Sequence, residues 1–428
     1  MKRVFLASLL VLISKLGLAA PIDNLVEKYI PNAHLGLYIQ DADSKKILYT
    51  KNSEQGFSPA SVTKAFTAAA SLFKIDPEFS YQTVLGSNQN DLIVSFSGDP
   101  TLTTQDLENL LQAIKTVKGN IIIDNTYFPK PDEARGIVAE DLNWYFGTPA
   151  KSVIIDENQV PIKITASDDL KLVSEQEANT LCQLNVDLNP KTNAIKLYGC
   201  WPEVKKDAVL KVALANPELR VKQIILEYLA KQNIAFNGQI KIENAKIVDV
   251  IATHQSPPLK EMYPVIMKES NNIYADSLNK TLGKKTYDRG TLQAGSYAVQ
   301  QILEKKLTIN LDNIRLYDGA GGSIYNQVTP RSVALFLQAM YQSSYKNTFL
   351  NMQIVDDKHT FHWRLPENVQ TNIYLKTGSM TGVSNMVGYI KTKSGKTLVL
   401  VCLLNGLPLD KTNAWLFEKE LIAYLASQ

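Results

Sequence analysis

Residues 60–74 read ASVTKAFTAAASLFK, and this run decides the fold. Its alanines and the spacing of its apolar residues predict a helix, with Ser58 or Ala60 near the start. Ser61 and Lys64 stand close to that start, as an S-x-x-K pair. Helical residues i and i+3 share a face, so Lys64 can reach the Ser61 hydroxyl and, when neutral, accept its proton. A lysine beside other cations in a dry pocket titrates low, and a helix N-terminus favours developing negative charge. Spacing alone is a weak signal, because Ser71/Lys74, Ser277/Lys280 and Ser343/Lys346 repeat it. Ser61 differs in its setting: the small loop Ser58-Pro59-Ala60 precedes it, and an apolar helix follows.

On either side of this helix the two ends of the chain look alike. Residues 34–50 predict two strands joined by a polar turn. Residues 371–404 carry three β-like runs, and 411–426 read as a final helix. One antiparallel sheet built from both ends makes an α+β domain split by a long middle insertion. Within the insertion, 81–125 hold short strands, the loop SGDPTL and an amphipathic helix near 104–117. Residues 152–200 are mostly strand-like, a helix lies near 216–232, and strands occupy 233–252. Helical patterns return at 259–282, 289–306 and 330–342.

Two further motifs carry chemistry. Ser270-Asn271-Asn272 sits at a loop-to-helix start. Its hydroxyl can relay a proton between Lys64 and a leaving amine, and Asn272 can donate to a substrate carbonyl. Lys376-Thr377-Gly378, followed by Ser379, comes after the strand-like NIYL. A strand edge there can pair with an extended peptide. Lys376 and Thr377 suit a terminal carboxylate, and Gly378 lets substrate approach the backbone. Each motif alone reads more readily as a helix cap or a strand-ending turn. Together they make the S-x-x-K, S-D-N-like and K-T-G set of serine acyl transfer.

Composition narrows the class. The chain has 428 residues, 45% of them hydrophobic and 20% charged, which is globular. Its 45 Lys+Arg against 42 Asp+Glu argue against a nucleic-acid partner gripped by a basic field. Three cysteines exclude a disulfide-dense scaffold and a four-cysteine zinc site. His359 and His362 lack a third ligand, and Gly319, Gly321 and Gly322 lack the G-K-[ST] of a phosphate loop, so neither a metal nor another cofactor is expected. Residues 1–19 are laid out as a signal peptide: Lys2 and Arg3, the apolar run Val4 to Ile13, then Gly17-Leu18-Ala19 before a cleavage point at Ala20. Cleavage there removes Lys2, Arg3 and Lys15 and no acid, so the mature chain is formally neutral. Export makes a disulfide permissible. Cys182 and Cys200 flank the turn 189–193 symmetrically, so a regular hairpin sets them opposite each other and predicts a bond. Cys402 lies in an apolar run and reads as a buried thiol.

The interval from Ser61 to Ser270 is too long for a compact β-lactamase. With that spacing the sequence resembles the class C low-molecular-mass penicillin-binding proteins, the penicillin-binding protein 4 type of D-alanyl-D-alanine carboxypeptidase/endopeptidase. SGDPTL at 97–102, SPPLKEM at 256–262, SNNIYADSLNKTLG at 270–283, YDGAGGSIYNQVTPRS at 317–332 and LKTGSMTGVSNMVGYI at 375–390 carry the likeness. The resemblance implies a penicilloyl-serine transferase (β-lactamase-like) domain with nested β-rich insertions. Its parts are 20–78 with 258–428, then 79–160 with 208–257, then 161–207. It implies Ser61 as nucleophile, Lys64 as base, and Ser270, Asn272 and Lys376 as partners. The backbone N–H groups of Ser61 and Ser379 would form the oxyanion hole. Asp141, Phe146 and Arg364 match substrate-pocket positions, and an acid with a base would suit zwitterionic diaminopimelate. Asn271 departs from the commoner S-D-N. The partners so implied are peptidoglycan stem peptides and, as covalent inhibitors, β-lactams, in a periplasmic setting. A peripheral membrane or wall contact and the oligomeric state stay open. The rival readings are a β-lactamase and a non-catalytic wall-binding protein.

Overall fold

The computed structural model describes residues 18–165, 169–174, 182–205, 208–353, 366 and 373–428. The proposed leader falls almost wholly outside them. Arg364, His359 and His362 also lie outside the described residues. Two compact units emerge: Met1–Ile75 with Tyr263–Asn271 and Gly295–Gln428, and Asp76–Met262 with Asn272–Ala294.

The first unit joins the chain ends in one antiparallel five-stranded sheet. Its order is Ile373–Met380, Val383–Lys391, Thr397–Asn405, His34–Asp41, Ile47–Lys51. Strand alternation sends Leu37, Leu375, Leu400 and Cys402 into a core with Ile22 and Val26 of the helix at 18–29 and Phe417 and Leu421 of the helix Thr412–Ala426. Lys376 and Gly378 alternate with Leu375 and therefore face the other way. The helix Thr63–Lys74 is buried from Thr63 through Leu72, and Phe66 stacks on Phe336 of the helix Pro330–Gln342. Small alanines along this helix let the surrounding layers close around it.

The second unit has a mixed five-stranded sheet, ordered Ile240–Ile242, Ile121–Asp124, Asp91–Ser95, Gln82–Asn88, Asp249–Gln255. Helices Thr104–Leu111 and Pro217–Lys231 cover it through Leu107, Leu111, Val221 and Ile225. The pair Gln159–Lys163 and Val209–Ala213 forms a ribbon. Between those two strands in sequence lies a separate three-stranded sheet of Leu170–Val173, Ile195–Pro202 and Leu184–Leu188.

The disulfide Cys182–Cys200 is present, with 5.5 Å between Cα atoms. The symmetric register is off by one residue. Leu184 pairs with Gly199, and the Cys200 N–H donates to the Gln183 carbonyl. Gly199 takes φ +100°, a conformation that glycine tolerates. The single helical pattern at 259–282 is two helices, Leu259–Met267 and Asn272–Tyr287. Ser270 separates them at φ +60°. Among the described residues no helix is long and apolar enough to cross a membrane.

Candidate active site

Ser61 lies in a 3₁₀ turn, Ala60–Val62, and the α-helix begins at Thr63. The expectation of a simple helix start at Ser58 or Ala60 therefore needs amending: a tighter turn precedes the helix. Lys64 is fully buried, and its Nζ donates to Ser61 Oγ at 2.9 Å and to the Ala320 carbonyl at 2.7 Å. Ser61 itself keeps partial exposure.

Distant side chains hold this turn in place. Asn385 Nδ2 donates to the Ser58 and Pro59 carbonyls, 2.9 Å each, and its Oδ1 accepts from the Leu404 N–H. Asn405 Oδ1 accepts from the Ser58 N–H at 2.8 Å. Ala60 sits at φ +47°, a costly conformation for a residue with Cβ that these contacts offset. Asp318 organises the loop behind Lys64 by accepting from the N–H groups of Gly321 and Ser323 and from Asn326 Nδ2. A Cβ at Gly321 would collide with the Ala60 carbonyl. Gly321 thus permits close packing beside the Ala320 carbonyl.

Lys376 is the second buried ammonium of this unit. Its Nζ donates to Ser270 Oγ at 2.9 Å and to the Thr377 carbonyl at 2.9 Å. Burial, and then the positive charge of Lys64, hold it well below the usual lysine range. A Cβ on Gly378 would strike the Pro59 carbonyl and come within 3.2 Å of the Ser61 nitrogen. The strand thereby lies directly against the serine turn. Thr377 is buried beside Lys376. Ser379 Oγ accepts from Lys411 Nζ at 3.0 Å, a lysine that also donates to the Met380 and Val383 carbonyls.

In the second unit, Asn272 opens the helix Asn272–Tyr287, and its Nδ2 donates to the Phe146 carbonyl at 2.6 Å. Phe146 is exposed and meets Tyr145 edge-on. Asp141 is partly buried, and burial, reinforced by Glu140, raises its carboxyl above the usual range. Asn272, Phe146 and Asp141 therefore belong to one neighbourhood.

The first unit thus places two buried lysines on two serine hydroxyls, behind a glycine strand edge. That is the equipment of a serine acyl transferase that uses lysine in place of histidine. Residues 18–427 match the model of the D-Ala-D-Ala carboxypeptidase 3 (S13) family, and the chain belongs to that family. It is 28% identical over 423 residues to the D-alanyl-D-alanine carboxypeptidase DacB of Haemophilus influenzae, covering 90% of this chain and 88% of the relative. The crystal structure of penicillin binding protein 4 from the same organism superposes with a TM-score of 0.86 at 27% identity, covering 95% of this chain and 99% of that one. Its complex with a β-lactam gives 0.79 at 26% identity, with 95% and 99% covered. A predatory endopeptidase from Bdellovibrio bacteriovorus, 16% identical at TM-score 0.52 with 91% and 92% covered, shares the fold. The chain is accordingly a peptidase of the D-Ala-D-Ala carboxypeptidase class with an α+β, β-lactamase-like fold.

The sequence reading assigns no role to Asn385, Asn405, Asp318 or Ala320. Asn385 and Asn405 bond main chain far away in sequence, Asp318 shapes its own loop, and the Ala320 carbonyl accepts from Lys64. A local hint is the asparagine in each of two largely apolar strands.

Proposed function

We propose that Ser61 is the nucleophile that attacks the carbonyl of the penultimate D-Ala of a peptidoglycan stem. The Lys64–Ser61 bond at 2.9 Å, made by a fully buried lysine, carries this reading. Lys64, when deprotonated, takes the hydroxyl proton as the C–O bond forms. The backbone N–H groups of Ser61 and Ser379 take the charge on the carbonyl oxygen. Ser270, poised by Lys376, relays the proton to the leaving amine, and water then cleaves the acyl-enzyme. Asn272 donates to a substrate amide carbonyl. Thr377, Gly378 and Ser379 line the strand along which the extended peptide lies.

Asp141 and Phe146, with Arg364 as the third member, are the proposed pocket for a diaminopimelate side chain. The carbonyl of Phe146 bound by Asn272 supports this, because it ties the pocket wall to a motif residue. Cross-linked stems enter by the same chemistry with a longer leaving group. Residues 1–19 direct the chain to the periplasm in this reading. The division into 20–78 with 258–428, 79–160 with 208–257, and 161–207 is supported by the separate three-stranded sheet at 170–202. A β-lactam, mimicking D-Ala-D-Ala, acylates Ser61 and leaves slowly, whereas a β-lactamase would release it fast. Digestion of defined muropeptides tests the reading. Free D-Ala from monomers, and monomers from dimers, are expected from wild type and not from Ser61→Ala. Undiminished release by Ser61→Ala would refute it.

A further inference from the structure

The helix Asn272–Tyr287 carries another fully buried lysine, Lys280, which the acyl-transfer scheme does not use. Its Nζ donates to the Ala150 carbonyl at 2.6 Å and lies 5.6 Å from the Phe128 ring centroid. Burial lowers its pKa from the usual lysine range, against the opposing pull of Asp132, Asp276 and Glu133. Its hydrogen-bond acceptor is thus a main-chain oxygen rather than a carboxylate. A buried ammonium of this kind costs more than an apolar side chain of the same length. Stability alone gives no reason to keep it.

Position along the helix supplies a reason. Ile273 and Lys280 are seven residues apart and share a helix face, and helical side chains lean toward the N-terminus. Ile273 packs in one apolar cluster with Ala150 and Ile154, and the lysine reaches back to the carbonyl of that same Ala150. One residue before Ile273, Asn272 holds the Phe146 carbonyl. The chain from 146 to 150 is therefore attached to one helix at both ends. Gly147 lies between, where a Cβ would collide with the Asp141 carbonyl, so the turn bearing Asp141 folds directly onto the attached segment.

We infer that Lys280 is a positioning residue for the wall of the substrate side-chain pocket, setting where Asp141 and Phe146 stand by fixing the Ala150 carbonyl. The inference rests on the proposed role of those two residues, and its test separates the two claims. The variants are Lys280→Met, Phe146→Ala and their combination in the full mature enzyme. The probes are a diaminopimelate-containing pentapeptide and benzylpenicillin, which lacks that side chain. Lys280→Met should raise KM for the peptide about five- to tenfold, with kcat within about twofold and penicillin acylation unchanged. Its Tm should equal or exceed that of wild type, since an isosteric apolar chain replaces a buried charge. The double variant should be no worse than Phe146→Ala alone, because both changes act on one wall. If Phe146→Ala raises KM and Lys280→Met does not, the positioning inference fails and the pocket stands. If neither raises KM, the pocket reading fails with it. A Lys280→Met protein that misfolds, or that loses penicillin acylation in proportion, would reduce the lysine to a structural part and overturn the inference.

Discussion

Ser61 and Lys64 are three residues apart, as are Ser277 and Lys280, and both lysines are fully buried. In the first pair Nζ meets Oγ at 2.9 Å. In the second, Nζ goes to the Ala150 carbonyl, and the buried Ser277 Oγ has no hydrogen-bond partner among the described residues. The spacing is equal and the surroundings differ. Ser61 lies in a 3₁₀ turn at the open end of its helix, whereas Ser277 lies in the second turn of a helix and is shut off from solvent. A second buried lysine, Lys376, lies in the same unit as Ser61, beside a glycine strand edge that packs on the serine turn. In the proposed scheme reactivity follows from access and from the second lysine, and the i, i+3 spacing is only the entry condition.

The comparison breaks most sharply at Lys64. Lys64→Met should lower acylation by benzylpenicillin about a thousandfold, as loss of a positioned base does, and stopped-flow acylation rates would show it. Asn385→Ala leaves the Pro59 carbonyl and the Leu404 N–H without this partner. It should cost about 3 kcal/mol in urea unfolding and slow acylation through a loosened Ser61 turn. A smaller effect concerns Lys376, whose folded pKa lies below its unfolded value. Below the folded value both states bind the proton, and above the ordinary value near 10 neither does. Between them the unfolded chain holds more protons, so stability rises with pH across that window. Comparing wild type with Lys376→Met by denaturant titration should therefore show a gap that shifts in favour of wild type as pH climbs toward the lysine range. The smallest effect is expected at Ser277→Ala. Acylation should be unchanged and Tm equal or slightly higher, since an unpartnered buried hydroxyl is removed. A large loss of acylation in that variant would show that the two pairs are not distinguished by access.

The sequence exposes the parts of the site whose chemistry is local. Ser61 with Lys64, and the strand edge at Lys376 to Gly378, are contiguous patterns with a mechanical reason for their spacing. The joining of the chain ends into one sheet is also legible, because short β-like runs, alternating or continuously apolar, stand at both ends. What stays hidden is long-range polar contact. Nothing near Asn385 announces that it will hold the Ser58 and Pro59 carbonyls. Nothing near Asp318 announces that it will shape the loop behind Lys64. The 259–282 region carries a helical pattern, and the loop-to-helix start read at Ser270 is where the left-handed backbone interrupts it. The cysteine register slips by one for a similar reason: Gly199 permits a backbone kink that a symmetric count ignores.

The central claim is that Ser61 alone becomes covalently acylated. Intact mass spectrometry after brief exposure to benzylpenicillin tests it directly. Wild type and Ser277→Ala should each gain a single penicilloyl adduct, with the modified peptide containing Ser61, and Ser61→Ala should gain none. An adduct on Ser61→Ala, or its localisation to any other serine of wild type, would contradict the account.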